Sequence, residues 1–90
     1  MPLVYSGSGC TSPYAPLYDD SVNLCEVLFP DGSSTNDVVT SILVPPLLRL
    51  ELYPDCAQPT GTPVPIEHRG VSEARCVSVG AGTGHIVVVR

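Results

Sequence analysis

Apolar positions along the chain come in short bursts, and their spacing is that of strands. Leu48, Leu50 and Leu52 alternate with Arg49, Glu51 and Tyr53, the period of two that turns one face of a strand to a core. Val64 and Ile66 alternate with Pro65 and Glu67, as suits an edge strand where proline costs no ladder bond. Val77 and Val79 alternate with Ser78 and Gly80, and Leu3-Val4-Tyr5 makes a short strand ending in the flexible turn Ser6-Gly7-Ser8-Gly9. Val22, Leu24 and Val27-Leu28-Phe29 form a further apolar segment closed by Pro30-Asp31-Gly32. Residues 38–44 predict a strand stopped by Pro45-Pro46, and residues 86–89 a terminal β-branched strand. Ten prolines and eight glycines interrupt every window in which a helical period could build up. The one opening for helix is a single turn over residues 70–75 with Ser72 as its cap, balanced against a loop. The pattern predicts an all-β chain of about eight short strands, a β-sandwich or small barrel.

Folding the sequence on itself at Pro45-Pro46 lines up the landmarks of two halves. Val4-Tyr5, a glycine-rich turn and Cys10 match Leu52-Tyr53-Pro54-Asp55-Cys56; Cys25 matches Cys76; residues 38–44 match residues 83–89. This predicts an internal duplication in which two four-strand motifs, residues 2–44 and 47–90 of one domain spanning 1–90, bury their apolar faces against each other.

Ninety residues bury too little surface to be more than marginally stable unaided, which gives the four cysteines their meaning. Cys10, Cys25, Cys56 and Cys76 include no C-x-x-C pair, and neither histidine adjoins one of them, so disulfides are expected rather than zinc. Three connectivities are open. Cys10 with Cys25 and Cys56 with Cys76 is one symmetric pairing, within the motifs and favoured; Cys10 with Cys56 and Cys25 with Cys76 is equally symmetric and would staple the two motifs. Disulfides imply an oxidising compartment, hence a secreted protein. The start Met1-Pro2-Leu3-Val4 carries neither a basic segment nor an apolar core of a leader, so a mature form with an initiator methionine is expected. Four arginines against nine acids, a net charge of −5, argue against nucleic acid and anionic membranes as partners. The longest apolar run, residues 42–48, is far too short to span a bilayer.

An acidic surface suits a cation, and one stretch offers oxygens for it. Asn36-Asp37-Val38-Val39-Thr40-Ser41 places amide, carboxylate and hydroxyl groups at the mouth of a strand. Together with VYSGSGC and its counterpart LYPDC, and with the terminal GTGHIVVVR, this stretch resembles a βγ-crystallin domain over nearly the whole chain. The family's calcium-binding signature, two Asn or Asp residues, two variable ones, then Ser or Thr followed by Ser, is met at every position. Its hairpin motif is not: Cys10 and Ser12 stand where a second aromatic and a glycine are expected after Tyr5. The resemblance implies two Greek key motifs packed as a β-sandwich. It also implies a calcium ion held by Asn36, Asp37, Val38, Thr40 and Ser41, with carbonyls from Ser6 to Ser8. Calcium takes six to eight oxygens, of which Asp37 supplies the charged one, Thr40 or Ser41 a hydroxyl and Val38 a carbonyl. The matching positions of the second half, Ala81-Gly82-Thr83-Gly84-His85-Ile86, offer no carboxylate, so one weak site is expected, with an affinity of ~10⁻⁴ to 10⁻³ M. As ordinary turn chemistry, the same Asn and Asp would only bond the backbone two residues on.

Other residues point less far. Asp19-Asp20 reads as a solvated turn, His68 as part of an exposed polar loop, and His85 as a partly buried histidine bonded to backbone. The run Gly80-Ala81-Gly82-Thr83-Gly84 lacks the lysine and helix of a phosphate loop and reads as a tight connection. No nucleophile, base and orienting group fall into a recognisable pattern, so an enzyme is not expected. The chain is expected to be a secreted calcium-binding domain of structural role. The alternative is a secreted binding module, such as an antimicrobial toxin, effector or protease inhibitor, acting through the loop over residues 54–65.

Overall fold

The computed structural model describes residues 1–11 and 13–89. Ser12, at a hairpin-motif position, and Arg90, the end of the second half, lie outside the described residues. Eight strands form: β1 Leu3–Tyr5, β2 Tyr14–Pro16, β3 Ser21–Asn23, β4 Ser41–Val44, β5 Leu48–Tyr53, β6 Val64–His68, β7 Arg75–Ser78 and β8 His85–Val89. They make two antiparallel four-stranded sheets, ordered β2-β1-β4-β7 and β3-β8-β5-β6. The chain is thus all-β and sandwich-like, with no helix among the described residues.

Each half of the chain supplies three strands to one sheet and its third strand to the other. Strand β7 pairs with β4 of the first half, and β3 with β8 of the second. A short strand cannot leave its apolar side unpaired, and this exchange ties the two sheets together with backbone hydrogen bonds as well as core contacts. The period of two decides what is buried. Leu48, Leu50 and Leu52 of β5 face inward, as do Val4 of β1, Ile42 and Val44 of β4, and Ile86 and Val88 of β8. The long connection over residues 24–40 adds Leu24, Phe29 and Val39 to the same core.

Strand exchange also decides the disulfides. The bridges are Cys10–Cys76 and Cys25–Cys56, so neither the favoured intramotif pairing nor the pairing of Cys10 with Cys56 and Cys25 with Cys76 forms. Because β7 lies in the sheet of β1 and β4, Cys76 sits beside the hairpin that carries Cys10, at a Cα separation of 6.0 Å. Cys25 follows β3 and meets the hairpin after β5, at 5.7 Å. Each bridge therefore joins the first hairpin of one half to the third strand, or the turn just after it, of the other.

Three expectations about elements change. Strand β4 begins at Ser41, not at residue 38, because Asp37 has a left-handed φ of 60° and ends a turn there. Residues 27–29 form no strand: Leu28 makes only an isolated bridge with Ser34, and the segment folds over the core instead. Residues 70–75 form no helical turn; Arg75 already belongs to β7. Strand β2 gave no signal in the sequence, since Tyr14-Ala15-Pro16 has a single buried residue between two others that face outward or sit at the strand's end.

His68 is the other correction. It is not in an exposed loop but continues the inward alternation of β6 after Ile66, with only 9% of its surface exposed. Gly70 N donates to its Nδ1 at 3.2 Å, which assigns the proton to Nε2, and Nε2 donates to Glu73 O at 2.7 Å. The imidazole thereby clasps the β6–β7 connection.

Candidate functional site

The Asn36–Ser41 segment ends the long connection and enters β4, and its two halves do different things. At the strand end, Thr40 N donates to Tyr5 O at 2.9 Å and Thr40 Oγ1 to Ser6 O at 2.8 Å. Ser41, wholly buried, donates its Oγ proton to Gly7 O and accepts from Cys10 N at 2.9 Å. Both hydroxyls therefore staple the hairpin after β1, which must fold back over Tyr5 and Tyr14 to meet them. The fold brings Ser6 next to Thr40, where its carbonyl is taken up by the Thr40 hydroxyl. Ser8 is exposed and its carbonyl accepts from Thr11 Oγ1 at 2.8 Å.

At the turn end the chemistry is less settled. Asp37 and Val38 are exposed, and Asp37 N donates to Thr83 O at 3.2 Å. Asn36 turns its amide nitrogen to Asp37 Oδ2, at 3.4 Å, and its Oδ1 inward, where it is buried with no hydrogen-bond partner. That oxygen looks onto Gly84. A Cβ built on Gly84 would lie 2.6 Å from Pro54 O, 2.7 Å from Cys56 N and 3.1 Å from Asn36 Oδ1. Only glycine fits there, and Pro54 O, Cys56 N and Asn36 Oδ1 flank the space it leaves.

The backbone pairing places the two halves in register. Tyr5 faces Ser41 as Tyr53 faces His85, and Gly84 N donates to Tyr53 O as Thr40 N does to Tyr5 O. The counterpart of residues 36–41 is therefore Gly80-Ala81-Gly82-Thr83-Gly84-His85, one residue earlier than the sequence alignment put it. Gly84 stands for Thr40 and His85 for Ser41. His85 takes over the stapling role: Nδ1 donates to Cys56 O at 3.0 Å, which leaves Nε2 to accept from Ser21 Oγ at 2.8 Å. The expectation of a buried, backbone-bonded histidine matches this geometry. Gly80, Ala81, Gly82 and Gly84 bring no side-chain oxygen, so this half has no carboxylate at the equivalent turn.

No family profile matches the chain, and neither the curated proteins nor the solved structures contain a match to it. The residues themselves carry the functional argument. Two features escaped the sequence. Thr35 has no exposed surface, and its hydroxyl lies 2.9 Å from Leu24 O and 3.0 Å from Val27 O, holding the ends of the long connection together. Arg49, Glu51, Glu67 and Arg69 form an ion-pair chain on the outer face of β5 and β6. Their alternation at positions 49, 51, 67 and 69 is visible, but their pairing needs the β5–β6 register.

Proposed function

We propose that the protein is a secreted, disulfide-braced βγ-crystallin-like domain, not an enzyme, whose two Greek key motifs, 2–44 and 47–90, bind one calcium ion weakly at the turn over residues 36–38. The third-strand exchange supports the Greek key reading, since two such motifs folded across a pair of sheets would give this strand order. Two disulfides are compatible with an extracellular site of action. The observation that carries the calcium reading is the inward Asn36 Oδ1: a buried acceptor without a donor is costly, and it belongs to the same turn as the exposed Asp37 carboxylate. A hard cation accepts both kinds of oxygen. The ligands would be Asp37, Asn36 and carbonyls of Val38 and Pro54, with water completing the shell. Thr40 and Ser6 lie behind them, and Ser41 stays with the hairpin.

The test is thermal unfolding of the oxidised protein in EDTA and in calcium. At ~10 mM calcium and a dissociation constant of ~1 mM, linkage gives about 1.4 kcal/mol, a rise of several degrees in Tm. Asp37→Ala should abolish the rise. Asn36→Asp separates the two roles of the amide: it strengthens the calcium response if the inward atom is a cation-facing oxygen. If the inward atom is instead an N–H serving Pro54 O, the variant loses stability with or without calcium, and the site falls.

The second reading rests on a different observation. Residues 57–62 are all exposed and are anchored at one end by the Cys25–Cys56 bridge, the arrangement of a presented binding loop. Inhibition of a protease or of microbial growth that vanishes when residues 58–61 are replaced by a glycine-serine linker would favour this reading over a structural role.

A further inference from the structure

The two halves differ most in what covers the gap between the sheets. Between β3 and β4 the first half runs for residues 24–40, and that connection inserts Phe29, 3% exposed, into the core. Between β7 and β8 the second half has only residues 79–84. The β-ladder registers make the consequence visible pair by pair. Ala15 is 1% exposed, whereas its counterpart Val64 is 61% exposed. Leu24 and Val22 are buried, whereas their counterparts Val79 and Val77 are only partly so. The short connection leaves a cleft of about 590 Å³ between β6 and β7, floored by Leu52 and Ile66. Thr83 brings a hydroxyl to it at the position where the first half has the apolar Val39.

We propose that this cleft is a binding site for a neutral, apolar small molecule. Its volume lies within the range of about 300 to 1,000 Å³ typical of small-ligand sites, with a mostly aliphatic lining and a few polar groups to orient the occupant. Among the described residues none that lines it is charged, so an ionised ligand would lose its hydration without a partner. The net charge of −5 turns anions away in particular. The equivalent region of the first half keeps a smaller cleft of about 270 Å³ lined by Ala15, Val22, Val27 and Leu28 but also by the charged Asp19 and Glu26, so the wider, uncharged cleft of the second half is the one suited to a neutral occupant.

The probe is N-phenyl-1-naphthylamine, neutral and fluorescent only out of water, titrated into the oxidised full chain. Saturable one-site binding with a blue-shifted emission is expected. Val79→Phe, which fills the cleft from within, and Val64→Arg, which charges its exposed mouth, should each weaken binding about tenfold or more, equal to about 1.4 kcal/mol. Leu28→Ser, on the opposite edge, should leave it unchanged. If Val79→Phe fails to fold, Val64→Arg at an exposed position still decides the matter. Absence of saturable binding by the wild type, or equal affinity in Val64→Arg, overturns the proposal. So does binding of an acetylated peptide copy of residues 24–29 without binding of the dye, which would make the occupant a polypeptide.

Discussion

Ser41 has no exposed surface, and its one hydroxyl both donates to Gly7 O and accepts from Cys10 N. Removing the oxygen strands two backbone groups of the hairpin at once. Ser41→Ala should therefore lose about 2 to 3 kcal/mol in urea unfolding. Thr40→Val keeps its shape and loses a single bond to Ser6 O, so it should lose about 1 kcal/mol. Equal losses would mean that the hairpin does not depend on Ser41. Glu67 is held below the ordinary glutamate range, first by its hydrogen bond to Arg69 and then by the charge of Arg69, against an opposing effect of desolvation that outweighs the small contribution of Arg49. A depressed carboxyl stabilises the fold above the unfolded-state value and ceases to do so as pH falls through the lowered one. Arg69→Gln should move the Glu67 titration, followed by NMR of its carboxyl carbon, up toward the ordinary range. Neutral-pH stability should barely change, because the pair is at the surface.

Among the elements, the β4–β5 turn carries one of the three non-glycine residues with a left-handed φ among the described residues, the others being Cys10 and Asp37. Leu47 adopts a φ of 61° while its side chain is largely exposed. A leucine in this region costs about 1 to 2 kcal/mol and here recovers little by burial. Leu47→Gly relieves that cost against a glycine entropy loss of about 0.5 to 1 kcal/mol, so a net gain of up to about 1 kcal/mol is expected. A fall in Tm instead would show that Leu47 covers something in the folded chain. The bridges differ in reach: Cys10–Cys76 spans 66 residues and Cys25–Cys56 spans 31. The chain-entropy argument assigns them about 4.3 and 3.7 kcal/mol, so a double Ser variant of the first pair should be the less stable of the two. The reverse order would mean that the longer loop keeps residual structure when unfolded.

For the whole molecule, the two halves are alike in register and unlike in cover. Beside residues 24–40 the sandwich keeps a cleft of about 270 Å³, while the shorter connection over residues 79–84 leaves a wider one of about 590 Å³. The same shortening takes away every side-chain oxygen at the turn equivalent to Asn36 and Asp37, because Gly80 and Ala81 stand there. The proposed cation site and the cleft meet at Pro54 and Thr83, which line the cleft and adjoin the Asn36–Asp37 turn, so calcium and a neutral probe should each change the other's affinity. Fully independent binding would show that Pro54 belongs to only one of the two sites.

Strands with a sustained period of two were legible from the sequence, because alternation follows directly from the pleat: β5 through Leu48, Leu50 and Leu52, and β6 through Val64 and Ile66. The all-β character followed from prolines and glycines that leave helices no room. Strand β2 was not legible, because three residues with one buried side chain carry no period. Nor was the inward face of His68, whose charged neighbours Glu67 and Arg69 suggested solvent although position 68 continues the count from Ile66. The alignment of the two halves read in the sequence differs by one residue from the ladder registers at the Asn36–Ser41 counterpart, since only ladder pairing tells whether Ser41 matches His85 or Ile86. Which cysteines meet was decided by tertiary structure alone. Pairing depends on which sheet the third strands join, and that choice is made by core packing and strand exchange between residues far apart in the chain, where local pattern has no reach.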